Sequence, residues 1–406
     1  MIEPKLRFKA DDGSQFPDWE EKTLGDIGTA KMCKRVLKEQ TSEKGDVPFY
    51  KIGTFGGTPD AFISRELYEE LKTKYSFPRK GNILLSAAGT IGRTVVYDGQ
   101  DAFFQDSNIV WLDNDDSVLD GFLLQFYNKT SWDNLEGGTI KRLYNGLFLS
   151  KVIHVPSIPE QQKIVEFLST VDTVIDKQKE TVATWEERKK GVMQKLFSQE
   201  VRFKADDGSD FPDWEEKTLS EIASIHARIG WQNLRKDEFL TDGNYLLITG
   251  TDFCNGRVNF STCYYVDKER YEQDKNIQVG NGTILVTKDG TLGKVALVEN
   301  LNKPATLNAG VFAIKVIHAD TISKFLYHWL AAPMLLEYAS KKSTGGTIKH
   351  LNQGILVDFP VGVPCLAEQQ KIADCLSSFD EVIEKQKATL AAWEELKKGL
   401  LQQMFV

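Results

Sequence analysis

Residues 160–191 read EQQKIVEFLSTVDTVIDKQKETVATWEERKKG, and residues 368–399 repeat this stretch as EQQKIADCLSSFDEVIEKQKATLAAWEELKKG. In each copy, core positions recur at alternating spacings of four and three residues, which is the heptad pattern of a helix that packs against another helix. Each copy extends for about 38 residues without an internal proline and predicts a helix roughly 57 Å long, at about 1.5 Å per residue. Because the copies are equivalent, we expect the two helices to pack antiparallel against each other.

Ten positions of each copy form this seam. In the first copy they are Ile164, Leu168, Val171, Ile175, Gln178, Val182, Trp185, Lys189, Val192 and Leu196. In the second copy they are Ile372, Leu376, Phe379, Ile383, Gln386, Leu390, Trp393, Lys397, Leu400 and Met404, each 208 residues later. Gln178 and Gln386 occupy equivalent places near the middle of the seam. They either face each other and fix the register of the pair, or they lie on the surface where the stripe drifts.

A second block of sequence also occurs twice. Residues 7–24 read RFKADDGSQFPDWEEKTL, and residues 202–219 repeat them with one change, Asp210 in place of Gln15. The second helix copy ends near the C-terminus, whereas the first continues through Phe197 into this second block. The repeat unit is therefore circular in order, and it predicts a pseudo-twofold molecule whose termini lie close together.

Composition limits the class of protein. A length of 406 residues suggests two to three domains, and 41% hydrophobic with 27% charged residues is typical of a globular protein. The N-terminus lacks the apolar core of a secretory signal, no apolar run approaches the roughly 20 residues that span a bilayer, and the five cysteines lack zinc spacing, so we expect a cytoplasmic protein with reduced thiols. A net charge of −8 disfavours a protein that coats nucleic acid nonspecifically, but it is compatible with a local basic cleft.

Residues 25–150 and 220–358 lie between the repeated blocks and contain short β-type runs punctuated by Gly, Asn and Asp. They predict mixed α/β domains, with strands at Asn82–Ser86, Thr94–Tyr97, Tyr245–Thr249 and Thr283–Thr287 and helices at Val118–Tyr127 and Thr321–Ala332. The fold class we expect is mixed α/β, with two globular domains joined by two long antiparallel helices that form a coiled coil. The expected boundaries are 1–155 and 201–360 for the globular domains, and 156–200 and 361–406 for the helices.

Two short motifs recur inside these domains. GNILLSAAGTIGR at 81–93 matches GTILVTKDGTLGK at 282–294, and GGTIKRL at 137–143 matches GGTIKHL at 345–351. The offset between copies grows from 195 to 201 to 208 residues along the chain, so the extra residues of the second copy lie in the variable stretches. A fixed frame with two divergent inserts is what we expect when each insert recognises a different target.

The simplest interpretation of the G-T-I/L-G motif is a tight turn that requires glycine for steric reasons. In the functional interpretation, the turn presents polar side chains, including Lys288 with Asp289, to a ligand. Arg, Gln and Asn suit base edges and Lys suits phosphate, so basic and amide residues here indicate DNA. The candidate DNA-binding residues are Lys31, Lys34, Arg35, Ser86, Arg93, Lys141, Arg228, Gln232, Asn233, Arg235, Lys288, Lys294 and Lys349.

Motifs of catalysis are absent from the sequence. There is no G-x-x-x-x-G-K-[ST] loop, no H-E-x-x-H and no G-x-S-x-G. The acidic residues of the repeated block superficially resemble the sequence motif of a metal-dependent nuclease. Such an enzyme needs carboxylates from separate strands on one metal ion, and a run of six residues cannot provide them. The five histidines show no ligand spacing and are expected to be core or surface residues. We therefore expect neither catalytic residues nor a bound metal in this chain.

The order F-P-D-W-E-E-K-T-L, variable domain, G-T-I-G, G-G-T-I-K, E-Q-Q-K-I and long helix, present twice, strongly resembles the specificity subunit of type I restriction-modification systems. The resemblance covers essentially the whole chain. It implies two target recognition domains that each read half of a gapped DNA site, with the helices as a spacer.

The same resemblance implies the partners. Two methylation subunits would dock on the repeated regions and modify an adenine in each half-site, and restriction subunits would join them to cleave unmodified double-stranded DNA. It also implies that S-adenosylmethionine, ATP and magnesium belong to those partner subunits rather than to this chain. Two alternatives remain at this point: a duplicated coiled-coil adaptor that binds proteins rather than DNA, and a stand-alone nuclease.

Overall fold

The computed structural model describes residues 4–132, 142–230, 233–342 and 350–405. The chain divides into two compact units: unit 1 comprises Met1–Gln178 and Thr389–Val406, and unit 2 comprises Lys179–Ala388. The unit boundaries fall inside two long helices, α5 (Ile158–Phe197) and α11 (Leu366–Met404). Each unit therefore contains one globular part and a segment of both helices. Among the described residues, no helix combines the length and the apolar character that crossing a bilayer requires.

Unit 1 contains two sheets and a separate strand pair. The larger sheet is antiparallel, in the order β2 (Gly28–Lys31), β8 (Ile109–Asn114), β5 (Ile83–Ser86) and β6 (Thr94–Val96). In the smaller sheet, β3 (Val47–Tyr50) lies between β4 (Phe62–Ile63), to which it is antiparallel, and β7 (Phe103–Phe104), to which it is parallel. The pair joins β1 (Glu20–Thr23) to β9 (Val152–Val155). The shorter helices are α1 (Leu24–Ile27), α2 (Arg65–Lys74), α3 (Asp120–Lys129) and α4 (Asn145–Leu149).

The central strand β5 separates two hydrophobic cores in unit 1. Ile83 and Leu85 face a core that includes Phe122 of α3, together with residues of both long helices. Leu84 faces the opposite way, into a core shared with the smaller sheet. Because successive side chains of a strand point to opposite faces, a strand buried on both faces has a continuous apolar run, as β5 does.

Unit 2 repeats this arrangement and extends it. Its larger sheet has the order β11 (Ala223–Ala227), β20 (Val311–Val316), β17 (Ile284–Thr287), β18 (Val295–Leu297), β14 (Arg257–Val258) and β13 (Phe253–Cys254). Its smaller sheet has the order β15 (Tyr264–Val266), β12 (Tyr245–Ile248), β19 (Ala305–Leu307) and β16 (Gln278–Val279), and its strand pair joins β10 (Glu215–Thr218) to β21 (Pro360–Val363). The shorter helices are α6 (Leu219–Ile222), α7 (Lys268–Glu272), α8 (Ser323–Ala331), α9 (Met334–Lys342) and α10 (Gln353–Val357).

The predicted elements agree with the observed ones to within one or two residues at almost every end. The extra residues of the second copy include the hairpin of β13 and β14, which lies between β12 and β15. In unit 1 the corresponding connection, between β3 and β4, is shorter. The prediction that the second copy carries its extra residues in the variable stretches is therefore confirmed for this hairpin.

Segments of α5 and α11 run antiparallel within each unit. In unit 1, Lys397 Nζ lies 2.5 Å from Asp172 Oδ1, while Leu401 and Met404 share a core with Ile164 and Leu168. In unit 2, Lys189 Nζ lies 2.6 Å from Asp380 Oδ1, while Met193 and Leu196 share a core with Ile372 and Leu376. All twenty predicted seam positions are buried or partly buried, as the seam of a helix that packs against another helix requires.

The two seam glutamines, Gln178 and Gln386, are partly buried rather than exposed. This burial disfavours the interpretation that they lie on the surface through drift of the stripe. Their predicted pairing with each other stays a prediction.

The two repeated blocks meet at a junction that explains why they recur together. In unit 1, Arg7 donates to the fully buried Glu160 through Nε at 3.0 Å and Nη2 at 2.8 Å, and Trp19 Nε1 donates to the same carboxylate at 3.1 Å. In unit 2, Arg202 makes the same two bonds to Glu368, at 3.1 and 2.7 Å, and Trp214 donates at 3.0 Å. A buried carboxylate needs such partners because charge burial is costly without them. Trp19 and Trp214 therefore hold their repeated blocks against the N-terminal ends of the two long helices.

The other residues of the E-Q-Q-K motif also hold this junction. Gln161 accepts a hydrogen bond from Leu119 N at 2.8 Å and donates to two carbonyls, and Gln369 makes the equivalent bonds in unit 2. Lys163 pairs with Asp11 at 2.5 Å. Leu6 N donates to Gln403 O at 3.0 Å in unit 1, so the two terminal segments lie together as predicted.

Candidate functional site

One edge of the larger sheet brings the predicted ligand residues of each unit together. In unit 1, β2 and β5 both run antiparallel to β8, which lies between them. Their C-terminal ends, at Lys31 and Ser86, therefore lie at the same edge of the sheet. The basic segment that follows β2 and the glycine turn that follows β5 both leave from this edge. The same relationship holds in unit 2 for β11 and β17, on either side of β20.

The G-T-I-G turn is built around a buried hydroxyl. Ser86 Oγ donates to Thr90 O at 2.5 Å and accepts from Arg93 N at 2.9 Å. In unit 2, Thr287 Oγ1 donates to Thr291 O at 2.5 Å and accepts from Lys294 N at 3.0 Å. The hydroxyl closes the turn in both copies. The side chain of Ser86 is buried and both of its bonds are internal, which disfavours the prediction that it contacts DNA.

The second glycine of the turn is required for steric reasons. Gly92 has φ +88°, and a Cβ added there would lie 2.2 Å from Trp132 Cδ1. Gly293 has φ +69°, and an added Cβ would lie 2.5 Å from Leu336 Cδ2. The simpler interpretation of these glycines is therefore confirmed, because only glycine combines a positive φ with so close an approach.

The residues that follow the G-G-T-I-K motif lie against this turn. Leu143 N donates to Ala87 O at 2.9 Å in unit 1, and Leu351 N donates to Lys288 O at 3.1 Å in unit 2. The preceding residue differs between the copies. Arg142 Nη2 donates to Ser107 O at 2.8 Å, whereas His350 Nδ1 lies 2.7 Å from Asp289 Oδ1.

In unit 2 these elements line an open cleft of about 440 Å³. Its floor includes Phe312 of β20, and Lys288 Nζ lies 5.5 Å from the centroid of that ring. The other lining residues are 227–230 after β11, Asp289, and 350–353. A basic group over an aromatic floor, beside an exposed His–Asp pair, offers both donors and acceptors to a polar ligand.

Arg228 lines this cleft but does not project into it. Its side chain is 2% exposed. Nε donates to Leu307 O at 2.8 Å, and Nη2 lies 3.3 Å from Thr306 Oγ1. Burial lowers the pKa of the guanidinium from its usual value, and the positive charge of Arg270 adds to the effect. This burial disfavours the prediction that Arg228 reads a base edge, because its donors bind the neighbouring strand.

The remaining candidates that the structure describes reach solvent. Lys31 is partly buried in β2, Lys34 lies over the Tyr75 ring at 4.7 Å, and Arg35 is exposed. The other exposed candidates are Arg93, which donates to Phe55 O at 2.8 Å, and Asn233, Arg235 and Lys294. Lys288 is partly buried. Three candidates, Lys141, Gln232 and Lys349, lie outside the described residues.

Within the described ranges, no group of three or more His, Cys, Asp or Glu side chains is arranged to hold a metal ion. The residue that sequence reasoning missed is His350, whose ring is 70% exposed and pairs with Asp289. The sequence does contain a pattern that indicates His350. The alignment of GGTIKRL with GGTIKHL places His350 at the position of Arg142, directly after a motif that contains the candidate residues Lys141 and Lys349.

Comparison with known proteins agrees with this architecture. The family described as type I restriction modification DNA specificity domain matches residues 17–184 and 212–392. A Haemophilus influenzae protein named as a type I restriction enzyme specificity subunit is 56% identical over 152 residues, which cover 37% of this chain and 40% of that protein. The MjaVIII specificity subunit of Methanocaldococcus jannaschii is 24% identical over 412 residues, covering 97% of this chain and 94% of that protein.

A solved structure has the same fold along its whole length. The S subunit of a type I restriction-modification system from M. genitalium superposes with a TM-score of 0.55 at 17% identity, covering 100% of this chain and 99% of that one. Because the family match includes both globular parts and most of both long helices, this chain belongs to the type I restriction modification DNA specificity family.

Proposed function

We propose that this chain is the DNA sequence-specificity subunit of a type I restriction-modification complex. Each globular part reads one half of a gapped double-stranded DNA site, and α5 and α11 set the gap. The chain acts in the cytoplasm of a prokaryotic cell and performs no chemistry by itself.

One observation carries this proposal: the two units share the same backbone arrangement but have different side chains at the edge of the larger sheet. The two units share the hydroxyl-held turn, the same sheet order around it and the same buried Arg–Glu–Trp junction. They differ in the side chains at the sheet edge, where Ala87 and Ala88 correspond to Lys288 and Asp289. A constant frame with different edge residues suits two related domains that recognise different base sequences.

The electrostatics of the edge suit DNA better than the net charge suggests. Arg35, Arg93, Arg235 and Lys294 are exposed and reach solvent from the segments at this edge. Phosphates respond to nearby charge, so these residues attract the backbone in a chain with a net charge of −8. Lys side chains would bind phosphate, and Arg and Asn side chains would read base edges.

The family to which the chain belongs implies the partners of the complex. Two methylation subunits that bind S-adenosylmethionine dock on the repeated regions, and restriction subunits that use ATP and magnesium join them. A base inside a duplex must be flipped out before it is methylated, so the methylation subunit supplies the pocket for the adenine. This chain supplies only the recognition of the DNA sequence.

Sequencing of methylated genomic DNA tests the proposal. Cells that lack other methylation systems would express this chain with its methylation subunits. We expect methylated adenines in a motif with two defined halves and a fixed gap, and no such motif when this chain is omitted. A methylated motif that does not depend on this chain would refute the proposed function.

The adaptor alternative is not favoured, since the family match assigns the chain to DNA-specificity proteins. Retention on immobilised DNA at low salt, with the methylation subunits present, separates the two directly. An adaptor for proteins would pass through, whereas the specificity subunit is retained and elutes as salt rises.

A further inference from the structure

The sheet edges of the two units differ most clearly at one pair of neighbouring positions. In unit 1 a backbone bond from Leu143 N to Ala87 O joins the segment after the G-G-T-I-K motif to the turn after β5. The bond from Leu351 N to Lys288 O joins the equivalent segments of unit 2. These bonds place Arg142 beside Ala88 in unit 1, where the two residues form a bridge, and His350 beside Asp289 in unit 2. The backbone is equivalent, but the hydrogen-bonding chemistry of the side chains is not.

In unit 2 the pair presents an acceptor. Asp289 Oδ1 lies 2.7 Å from His350 Nδ1, and an ionised carboxylate can only accept a hydrogen bond, so Nδ1 carries the proton. When the ring is neutral, the other nitrogen, Nε2, is an acceptor, and the carboxylate of Asp289 is an acceptor in either state of the ring. The ring is 70% exposed, so Nε2 can be reached from solvent at the mouth of the cleft.

In unit 1 the equivalent position presents donors alone. Arg142 has no acceptor atom in its side chain, and Ala88 contributes no polar side-chain atom. Arg142 is partly buried, and its Nη2 donates to Ser107 O at 2.8 Å, which fixes the direction of the planar guanidinium. Guanidinium groups donate in pairs to the O6 and N7 atoms of guanine.

We infer that these two positions select different bases in the two half-sites. The Arg142 position of unit 1 recognises guanine, and the Asp289–His350 pair of unit 2 accepts a hydrogen bond from the exocyclic amino group of adenine or cytosine. The inference rests on the proposed function, because it assumes that the sheet edge faces the major groove. It goes further by assigning a base class to each edge.

Exchange of the pair between the units tests the inference. Ala88→Asp with Arg142→His gives unit 1 the chemistry of unit 2, and Asp289→Ala with His350→Arg does the reverse. Each variant is assembled with its methylation subunits, and the bound fraction of a pool of randomised duplexes is sequenced. We expect one base position of one half-site to change between guanine and adenine or cytosine, while the other half-site stays as in the wild type.

Two further variants keep the test decisive if an exchange impairs binding. His350→Leu removes the polarity of an exposed ring, and we expect the preference at its base position to fall about tenfold, as the loss of one base contact implies. Asp289→Asn retains an oxygen that accepts from Nδ1, so the preference should persist. Preferences that stay unchanged in His350→Leu and in both exchanges would overturn the inference. A wild-type complex that selects no two-part site would instead overturn the proposed function.

Discussion

Lys189 of α5 forms an ion pair with Asp380 of α11, with 2.6 Å between Nζ and Oδ1. The residues 208 positions away, Lys397 and Asp172, form the same pair in unit 1 at 2.5 Å. Lys189 and Lys397 occupy seam positions of the heptad pattern, where an apolar residue is usual. In each unit, therefore, a lysine of one long helix forms an ion pair with an aspartate of the other.

Substitution of Lys189 tests whether this pair stabilises unit 2. Lys189→Met leaves the partly buried Asp380 without its cation, so we expect the free energy of unfolding to fall by about 2 kcal/mol. The double variant Lys189→Met with Asp380→Leu should recover most of the loss, since an apolar pair restores the seam. Lys190→Met, at a neighbouring exposed position, is the control and should change stability by less than about 0.5 kcal/mol. Denaturant unfolding gives these values, and equal stability of Lys189→Met and Lys190→Met would contradict the role of the pair.

The buried His328 predicts a pH dependence that unit 1 lacks at the equivalent place. Burial lowers the pKa of His328 to about 3, and the charges of Lys189 and Lys324 act in the same direction. The unfolded state binds the proton more readily, so the neutral ring stabilises unit 2 above about pH 6.5 and this contribution is lost as pH falls toward 3.

Unfolding measured from pH 7 down to pH 4 tests this expectation. The slope from this one residue should be about 1.4 kcal/mol per pH unit below pH 6. Unit 1 has a glutamine at the position equivalent to His328: Gln125 of α3, which donates to Asp172 at 3.1 Å. His328→Gln places the same residue type in unit 2 and should remove the contribution of His328 to the slope. An identical pH profile in His328→Gln and wild type would show that the proton on His328 does not govern acid stability.

The Arg–Glu–Trp junction should be necessary for each unit to fold with its helices. Arg202→Ala leaves Glu368, which is fully buried, with only the Trp214 bond, and we expect a loss of about 3 kcal/mol in the free energy of unfolding. Arg7→Ala should cost a similar amount in unit 1. Lys204→Ala removes an exposed pair with Asp210 in the same block and should cost less than about 1 kcal/mol. Arg202→Ala with wild-type stability would rule out the junction as the reason that the two blocks recur together.

The spacing role of the helices predicts a shift in the methylated motif. Deletion of residues 175–181 and 383–389 removes one heptad around each central glutamine and leaves the Lys–Asp pairs in place. Each helix shortens by about 10 Å, which corresponds to roughly three base pairs. The gap between half-sites should therefore shorten, while the half-sites themselves stay the same. If the complex with the shortened helices still methylates sites with the original gap, the spacer role is excluded.

Local periodicity made the scaffold predictable, and long-range contacts made the site harder to predict. The seam from Ile164 to Leu196 follows from spacing alone, and the turn at Gly92 follows from its glycines. Whether Arg228 points outward depends on Leu307 O, which a strand 79 residues away brings beside it. The pairing of His350 with Asp289 joins residues 61 positions apart, and no local pattern contains that information.

The division of labour between the two globular parts is tested most directly by combining protein and DNA substitutions. Arg35→Ala in unit 1 and Asn233→Ala in unit 2 each remove an exposed side chain suited to base edges. The dissociation constant of each complex is measured on the wild-type site and on sites with one base changed in either half. We expect Arg35→Ala to lose about tenfold of discrimination in one half-site alone, and Asn233→Ala to lose it in the other half alone. Loss of discrimination in both half-sites from either single substitution would contradict the assignment of one half-site to each globular part.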